Sequence, residues 1–212
     1  MTEENPVTAG TLFIVAAPSG AGKTSLVKAL LEVEKEVLVS VSHTTRPPRP
    51  GERDGVDYHF VTADVFQAMV REGAFLEHAS VFDHHYGTSH HWVLEKLTQG
   101  FDVILEIDWQ GARQIRSQIS DSIGIFILPP SRETLQRRLM GRNQDSTATI
   151  ARRMRDAESE MSHYDEFDYL VVNDLFERAL QELRAIVLAR RLRTAVRKLE
   201  VRDLIDSLLG RG

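Results

Sequence analysis

The chain has no cysteine, no apolar run long enough to cross a bilayer, no internal repeat and no excess of positive charge. Without cysteine there is no disulfide framework and no thiolate chemistry, which fits a reducing compartment. The longest early apolar run is too short for a membrane span or for the hydrophobic stretch of a secretory signal, and residues 1–10 carry no basic leader. A soluble, cytoplasmic protein with no membrane partner is the expectation. The formal net charge of −5 argues against a nucleic-acid partner, since such binders need a dominant basic field. What is left is a chain of 212 residues, the size of one domain with a substantial core.

Strand and helix patterns alternate along it, which predicts an α/β fold with a parallel sheet flanked by helices. Strands are expected over 12–16, 37–41, 103–107, 123–128 and 169–172, and helices over 23–33, 63–71 and 92–98. A charged helical region over 132–160 is broken around 141–146. A long amphipathic helix follows, with Leu180, Leu183, Val187, Leu188, Leu192, Val196 and Leu199 on one stripe, and the tail from Val201 can add a short helix. Between Ser42 and Gly87 the alternation gives way to a polar, β-rich stretch. Its Pro47, Pro48 and Pro50 bar helix, and it reads as an inserted substrate-binding subdomain. The arginine-rich break near Gly141 reads as a lid, because it joins anion-binding charge to hinge chemistry.

The densest signal lies in residues 12–25. The apolar run Leu12–Ala16 leads into Ala17-Pro18-Ser19-Gly20-Ala21-Gly22, then Lys23-Thr24, then a helical pattern. A loop of small residues can curl its backbone N–H groups around phosphate oxygens. The helix N-terminus adds partial positive charge, Lys23 reaches the terminal phosphates, and the Thr24 hydroxyl can ligate Mg²⁺. The usual pattern opens with glycine where Ala17 stands, a modest change if the backbone there keeps a negative φ. A second signal is the stretch Ser42 to Glu52. Arg46 and Arg49, held by prolines in an extended loop, make a fork suited to a dianionic phosphate. In order after it come Asp57-Tyr58-His59-Phe60, Phe75-Leu76-Glu77, Tyr86-Gly87-Thr88, Leu105 to Gly111, and Val172-Asn173-Asp174.

From about Thr11 to Lys198, this ordered set resembles the guanylate kinases, bacterial in type, which transfer a phosphate from ATP to GMP. The resemblance implies a P-loop NTPase-like parallel sheet with an inserted GMP-binding subdomain and a small helical lid. The boundaries it suggests are a core of 11–41, 88–131 and 157–200, a GMP-binding insertion of 42–87, a lid of 132–156 and a tail of 201–212. It also implies an ATP site at Ala17 to Thr24 with Asn173 near the base. Ser42, Arg46, Arg49, Tyr58, Glu77, Tyr86, Thr88, Glu106 and Asp108 correspond to the GMP site. Of these, Arg46, Arg49, Tyr58 and Tyr86 grip the phosphate, while Ser42, Glu77, Thr88 and Glu106 read the base. Lys23, Arg49 and the lid residues Arg138, Arg142 and Arg153 would act on the transferring group, with Mg²⁺ near Thr24 and Asp108. Asn143 stands where the lid turn often has glycine.

The chemistry of guanine agrees with this independently. Its N1–H and N2 amine are adjacent donors that a carboxylate can accept, whereas adenine presents an acceptor at N1. Glu106 lies within the apolar run Val103–Ile107, where a carboxylate without a function is costly, so a functional role is favoured for it; Glu77, also matched to the base, could on its residues alone be a surface strand residue. His84, His85, His90 and His91 crowd the Tyr86-Gly87-Thr88 turn, but adjacent histidines diverge, and exposed or substrate-proximal roles are favoured over a metal. Trp92 and Trp109 are expected to pack rather than to stack on a base. Another nucleoside monophosphate kinase would not need two acidic groups at the base. A non-catalytic interaction module would not need Lys23, Thr24 and the lid arginines. The long C-terminal helix leaves a homo-oligomer open.

Overall fold

The computed structural model describes residues 10–81, 83–140 and 147–211. From the N-terminus the chain runs through β1 (Leu12–Ala16), α1 (Lys23–Val33), β2 (Val37–Val39), β3 (His43–Thr44) and β4 (His59–Phe60). Next come α2 (Ala63–Arg71), β5 (Phe75–Val81), β6 (His84–Ser89), α3 (His90–Thr98), β7 (Asp102–Glu106) and α4 (Trp109–Gln118). It continues with β8 (Ile123–Leu128), α5 (Arg132–Met140), α6 (Thr147–Met161), β9 (Tyr169–Val172), α7 (Phe176–Arg191), α8 (Thr194–Glu200) and α9 (Arg202–Leu208).

The apolar segments form one sheet in the order β2-β7-β1-β8-β9, with every neighbouring pair parallel. Side chains alternate across β1. Phe13 and Val15 pack with Leu26, Val27 and Leu30 of α1 and Leu183 and Val187 of α7, whereas Leu12 and Ile14 pack with Val93 and Leu97 of α3 and Ile115 of α4. Both faces are covered, which is why the central strands read as continuous apolar runs. Each large side chain buried this way contributes about 1.5–3 kcal/mol. The chain leaves β1 toward β2 and β7 on one side and returns toward β8 and β9 on the other. That switch point, at the C-terminal ends of the strands, is where open parallel sheets form ligand crevices. Here it carries the loop after β1 and the end of β7.

A second sheet, β4-β3-β6-β5, is built from the inserted stretch. Its β3 and β4 are parallel, and its other pairs are antiparallel. The β5–β6 register slips between Phe75 and Glu77, then pairs Glu77 with Thr88. The Phe66 ring of α2 stacks on Phe75 at 4.7 Å and on His85 at 5.4 Å, giving the insertion a small core of its own. Against the loop after β1, Leu135 and Leu139 of α5 pack with Met154 and Ala157 of α6.

Several expectations change. Tyr86-Gly87-Thr88 is not a turn but the middle of β6, a polar strand that hydrogen-bonded neighbours on both sides hold in place. Helix α4 carried no clear apolar stripe and was not anticipated. The long C-terminal helix stops at Arg191, and Leu192 is 68% exposed. Arg191 ties the helix end down, donating from Nε to Asp102 Oδ2 at 2.6 Å, while Asp102 Oδ1 accepts the Thr11 N–H at 2.8 Å. Arg142 and Asn143 lie outside the described residues.

Candidate active site

The loop after β1 has the backbone its sequence implies. Gly20 and Gly22 have φ of +93° and +95°, a region that other residues rarely adopt. At Gly22 a Cβ would also sit 2.4 Å from Asn173 Nδ2. Asn173, 5% exposed, lies behind the loop and donates from Nδ2 to the Ala21 carbonyl at 2.7 Å. Arg138 braces the same place, donating to the carbonyls of Ala21 at 3.3 Å and Asn173 at 3.1 Å. Among the described residues the one non-glycine with positive φ is Asp83. Ala17 therefore keeps an ordinary backbone, and it packs against the core. The departure from glycine leaves the loop undisturbed.

At the start of α1, Lys23 Nζ donates to the Ile107 carbonyl at 3.4 Å, and Thr24 Oγ1 donates to Glu106 Oε2 at 2.8 Å. From α6, Arg153 donates to Ser19 Oγ at 3.1 Å and Glu160 Oε2 accepts the Ser19 N–H at 3.1 Å. Across the cleft, Arg46 meets Glu52 with bonds of 2.8 and 2.9 Å to its two oxygens. Its guanidinium also lies over the rings of Tyr58, at 5.3 Å, and Phe60, at 5.8 Å. Glu52 Oε2 accepts the Arg49 N–H at 2.7 Å as well. The hydrogen bonds from Arg46 hold the Glu52 carboxyl below its ordinary range. Tyr58 and Tyr86 meet edge to face at 5.9 Å.

The deepest part of the site belongs to Glu77. Its side chain comes from β5 just past the register slip, is 3% exposed, and accepts the Thr88 hydroxyl at 2.6 Å. Burial first, and the Asp108 charge after it, raise its carboxyl from 4.5 to about 7, against the Thr88 hydrogen bonds. Asp108 caps α4, accepting the Gly111 N–H at 2.9 Å. Glu106, at the last residue of β7, is half-buried and bonded to Thr24, while Asp108 is the acidic neighbour of Glu77. The apolar context of Glu106 was misleading because its strand ends there and its side chain emerges at the cleft. Glu77, which the resemblance placed at the base and which on its own residues could also be a surface strand position, is the buried carboxylate.

These groups line one cleft of about 320 Å³ that includes Ala17 to Gly20, Gly22 to Thr24, Ser42, Arg46, Arg49, Tyr58, Glu77, Tyr86, Glu106 and Asp108. Ala21, Thr88, Asn173, Arg138 and Arg153 are not among its lining residues. Asn173, expected near the ATP base, bonds to the Ala21 carbonyl of the loop. Sequence reasoning passed over Glu160, Ser25, Ala79 and Ile107, which also line the cleft. It also gave Glu52 no role. A signal existed for two of them: Glu52 follows Arg49 by three residues in the same proline-rich loop, and Glu160 follows Arg153 by seven, on the same helix face. Among the described residues no group of three or more histidine or acidic side chains is placed to hold a metal, and no helix is long and apolar enough to cross a membrane.

Comparison with known proteins agrees with this geometry. The guanylate kinase family profile matches residues 9–190. A guanylate kinase of Nitrosococcus oceani is 61% identical over 200 residues, covering 94% of this chain and 98% of its own length. One from Alkalilimnicola ehrlichii is 59% identical over 201 residues, covering 95% and 99%. The crystal structure of guanylate kinase from Anaplasma phagocytophilum superimposes with a TM-score of 0.77 at 32% identity, covering 94% of this chain and 95% of that one.

Proposed function

The chain belongs to the guanylate kinase family and is an ATP:GMP phosphotransferase, and from that premise we propose how its residues divide the work. The loop of residues 17–24 takes the ATP phosphates. Its backbone N–H groups, the α1 N-terminus and Lys23 supply positive potential, and Asn173 and Arg138 hold the loop carbonyls from behind. Arg46, Arg49, Tyr58 and Tyr86 receive the GMP phosphate. Glu52 pre-arranges that fork, since it already holds the Arg46 guanidinium and the Arg49 N–H. The guanine edge is read by Glu77, with Thr88 behind it, Asp108 beside it and Ser42 at the rim.

The observation that carries this reading is the buried Glu77–Thr88 pair at the end of a cleft that begins at the phosphate loop. An ionised Glu77 presents oxygens to the N1–H and N2 donors of guanine. With adenine it would face an acceptor, leaving a buried charge unmatched. The transfer itself needs no strong base. The GMP phosphate is largely a dianion at neutral pH and attacks directly, so positioning and charge neutralisation do the catalysis. Lys23 at the start of α1 and Arg153 beside Ser19 would stabilise charge on the transferring group, and closure of α5 and α6 over it would exclude water.

The Thr24 hydroxyl and the Glu106 carboxylate, 2.8 Å apart, are hard oxygen donors that fit a magnesium ion. Held there, Mg²⁺ would neutralise charge on the β and γ oxygens of ATP. We place the enzyme in the cytoplasm, in keeping with its cysteine-free sequence. The test is ADP formation from Mg·ATP with GMP, AMP, UMP, CMP or dTMP supplied separately. Turnover with GMP alone is expected. Preference for another base would leave the phosphate-loop chemistry intact and remove Glu77 from base recognition.

A further inference from the structure

Glu160, in the last turn of α6, reaches the phosphate loop and accepts the Ser19 N–H through Oε2 at 3.1 Å. Two turns earlier on the same helix face, Arg153 donates to the Ser19 hydroxyl at 3.1 Å. One helix therefore sets a cation and an anion on one loop residue. The cation is easily understood beside phosphates. The anion is not, because a loop shaped to offer N–H groups to phosphate oxygens has one of them taken by a carboxylate.

The surroundings argue against a contact kept only to fasten α6. Burial first, then the charges of Asp108 and Asp156, raise the Glu160 carboxyl above its ordinary range in spite of the Ser19 hydrogen bond and Lys23. A glutamine would accept the same N–H with no charge to desolvate and no acidic neighbours to repel it. What the carboxylate has and the amide lacks is the charge of a phosphate.

We propose that Glu160 is an internal competitor of the ATP phosphates: its carboxylate holds the Ser19 N–H as a surrogate anion that ATP must displace. Glu160 thereby sets the ATP affinity and links the seating of α6 to occupation of the loop. The inference rests on the reading of residues 17–24 as the ATP phosphate site. Carboxylate and phosphate cannot share one N–H, so their holds on the loop are antagonistic, and the antagonism is reciprocal.

The test is calorimetric titration of the parent chain and Glu160→Gln with ATP and with pyrophosphate, alongside steady-state KM values. Loss of the charge is expected to tighten ATP and pyrophosphate about three- to tenfold, the scale of one charge-assisted hydrogen bond weakened by partial exposure. KM for ATP should fall by a similar factor and KM for GMP should not move. If Glu160→Gln fails to fold, Glu160→Asp, too short to span from α6 to Ser19, is expected to shift ATP in the same direction. Unchanged or weaker ATP binding in a folded variant overturns the proposal, as a purely structural tie would give that result. Lys23→Ala separates the two layers of argument. If ATP binding to the parent chain survives that change, the phosphate-site reading itself fails. If binding depends on Lys23 while the Glu160 variants leave it unaltered, only the role of Glu160 fails.

Discussion

The two ends of the cleft are made in different ways. At the phosphate end, strand, loop and helix are contiguous, and residues 17–24 supply most of the chemistry by themselves. Their carbonyls are then braced by Asn173 and Arg138 from afar. At the base end nothing is contiguous. Glu77 comes from β5, Thr88 from β6 and Asp108 from the cap of α4, so a strand pair and a helix must be in register before the Glu77 carboxylate takes its buried place. A local motif can absorb a change within itself, as Ala17 does with an ordinary backbone. An assembled site gains discrimination from burial, and its key group carries the perturbed pKa that burial imposes.

Substitutions at each end should separate ATP chemistry from GMP recognition. The largest effect is expected for Lys23→Ala, which should lower phosphoryl transfer by about 10³-fold or more while GMP still binds. Retained turnover would break the phosphate end of the account. Next, Glu77→Gln should lower kcat/KM for GMP by about 10²-fold with ATP affinity unchanged, because the amide offers one acceptor and one misplaced donor to the guanine edge. Equal loss for both nucleotides would mean that Glu77 holds up the fold rather than reads the base. Glu106→Gln sharpens the boundary between the ends: kcat should fall about tenfold or more, with a higher Mg²⁺ requirement and little change in KM for GMP. A selective rise in KM for GMP would return Glu106 to the base. Smallest, Asn173→Ala should raise KM for ATP several-fold and cost about 1–2 kcal/mol in denaturant unfolding, since the Ala21 carbonyl loses the shorter of its two hydrogen bonds.

The same contrast governs what the sequence disclosed. β1, α1, α2, β8 and β9 begin and end at the expected residues, because apolar periodicity and punctuation by glycine and proline are local signals. The phosphate loop was legible for that reason too. Burial is not local. Glu106 sits among apolar neighbours yet emerges at a strand end, and Glu77 looks like an exposed strand residue until β6 and α4 close over it. Helix α4 was hidden because glutamines and arginines dominate it and only Ala112 and Ile115 carry apolar side chains into the core. The stripe running to Leu199 suggested one long helix, but a periodic stripe does not reveal where the sheet beneath it ends. Glu160 escaped notice because its partner is a backbone N–H, and only its spacing from Arg153 marked it.

The central claim is that a buried, proton-sensitive carboxylate reads the base. It is tested most directly by the affinity for GMP, titrated from pH 6 to 8.5 in the parent chain and in Glu77→Gln. A carboxyl raised to about 7 is protonated below that pH, where it turns a donor toward the donors of guanine, and ionised above it. The GMP phosphate titrates equally against both proteins, so its contribution cancels in the ratio of their affinities. The account predicts a ratio of parent to variant affinity that climbs as pH rises through about 7 and then levels off. A ratio that stays flat across the range would contradict it.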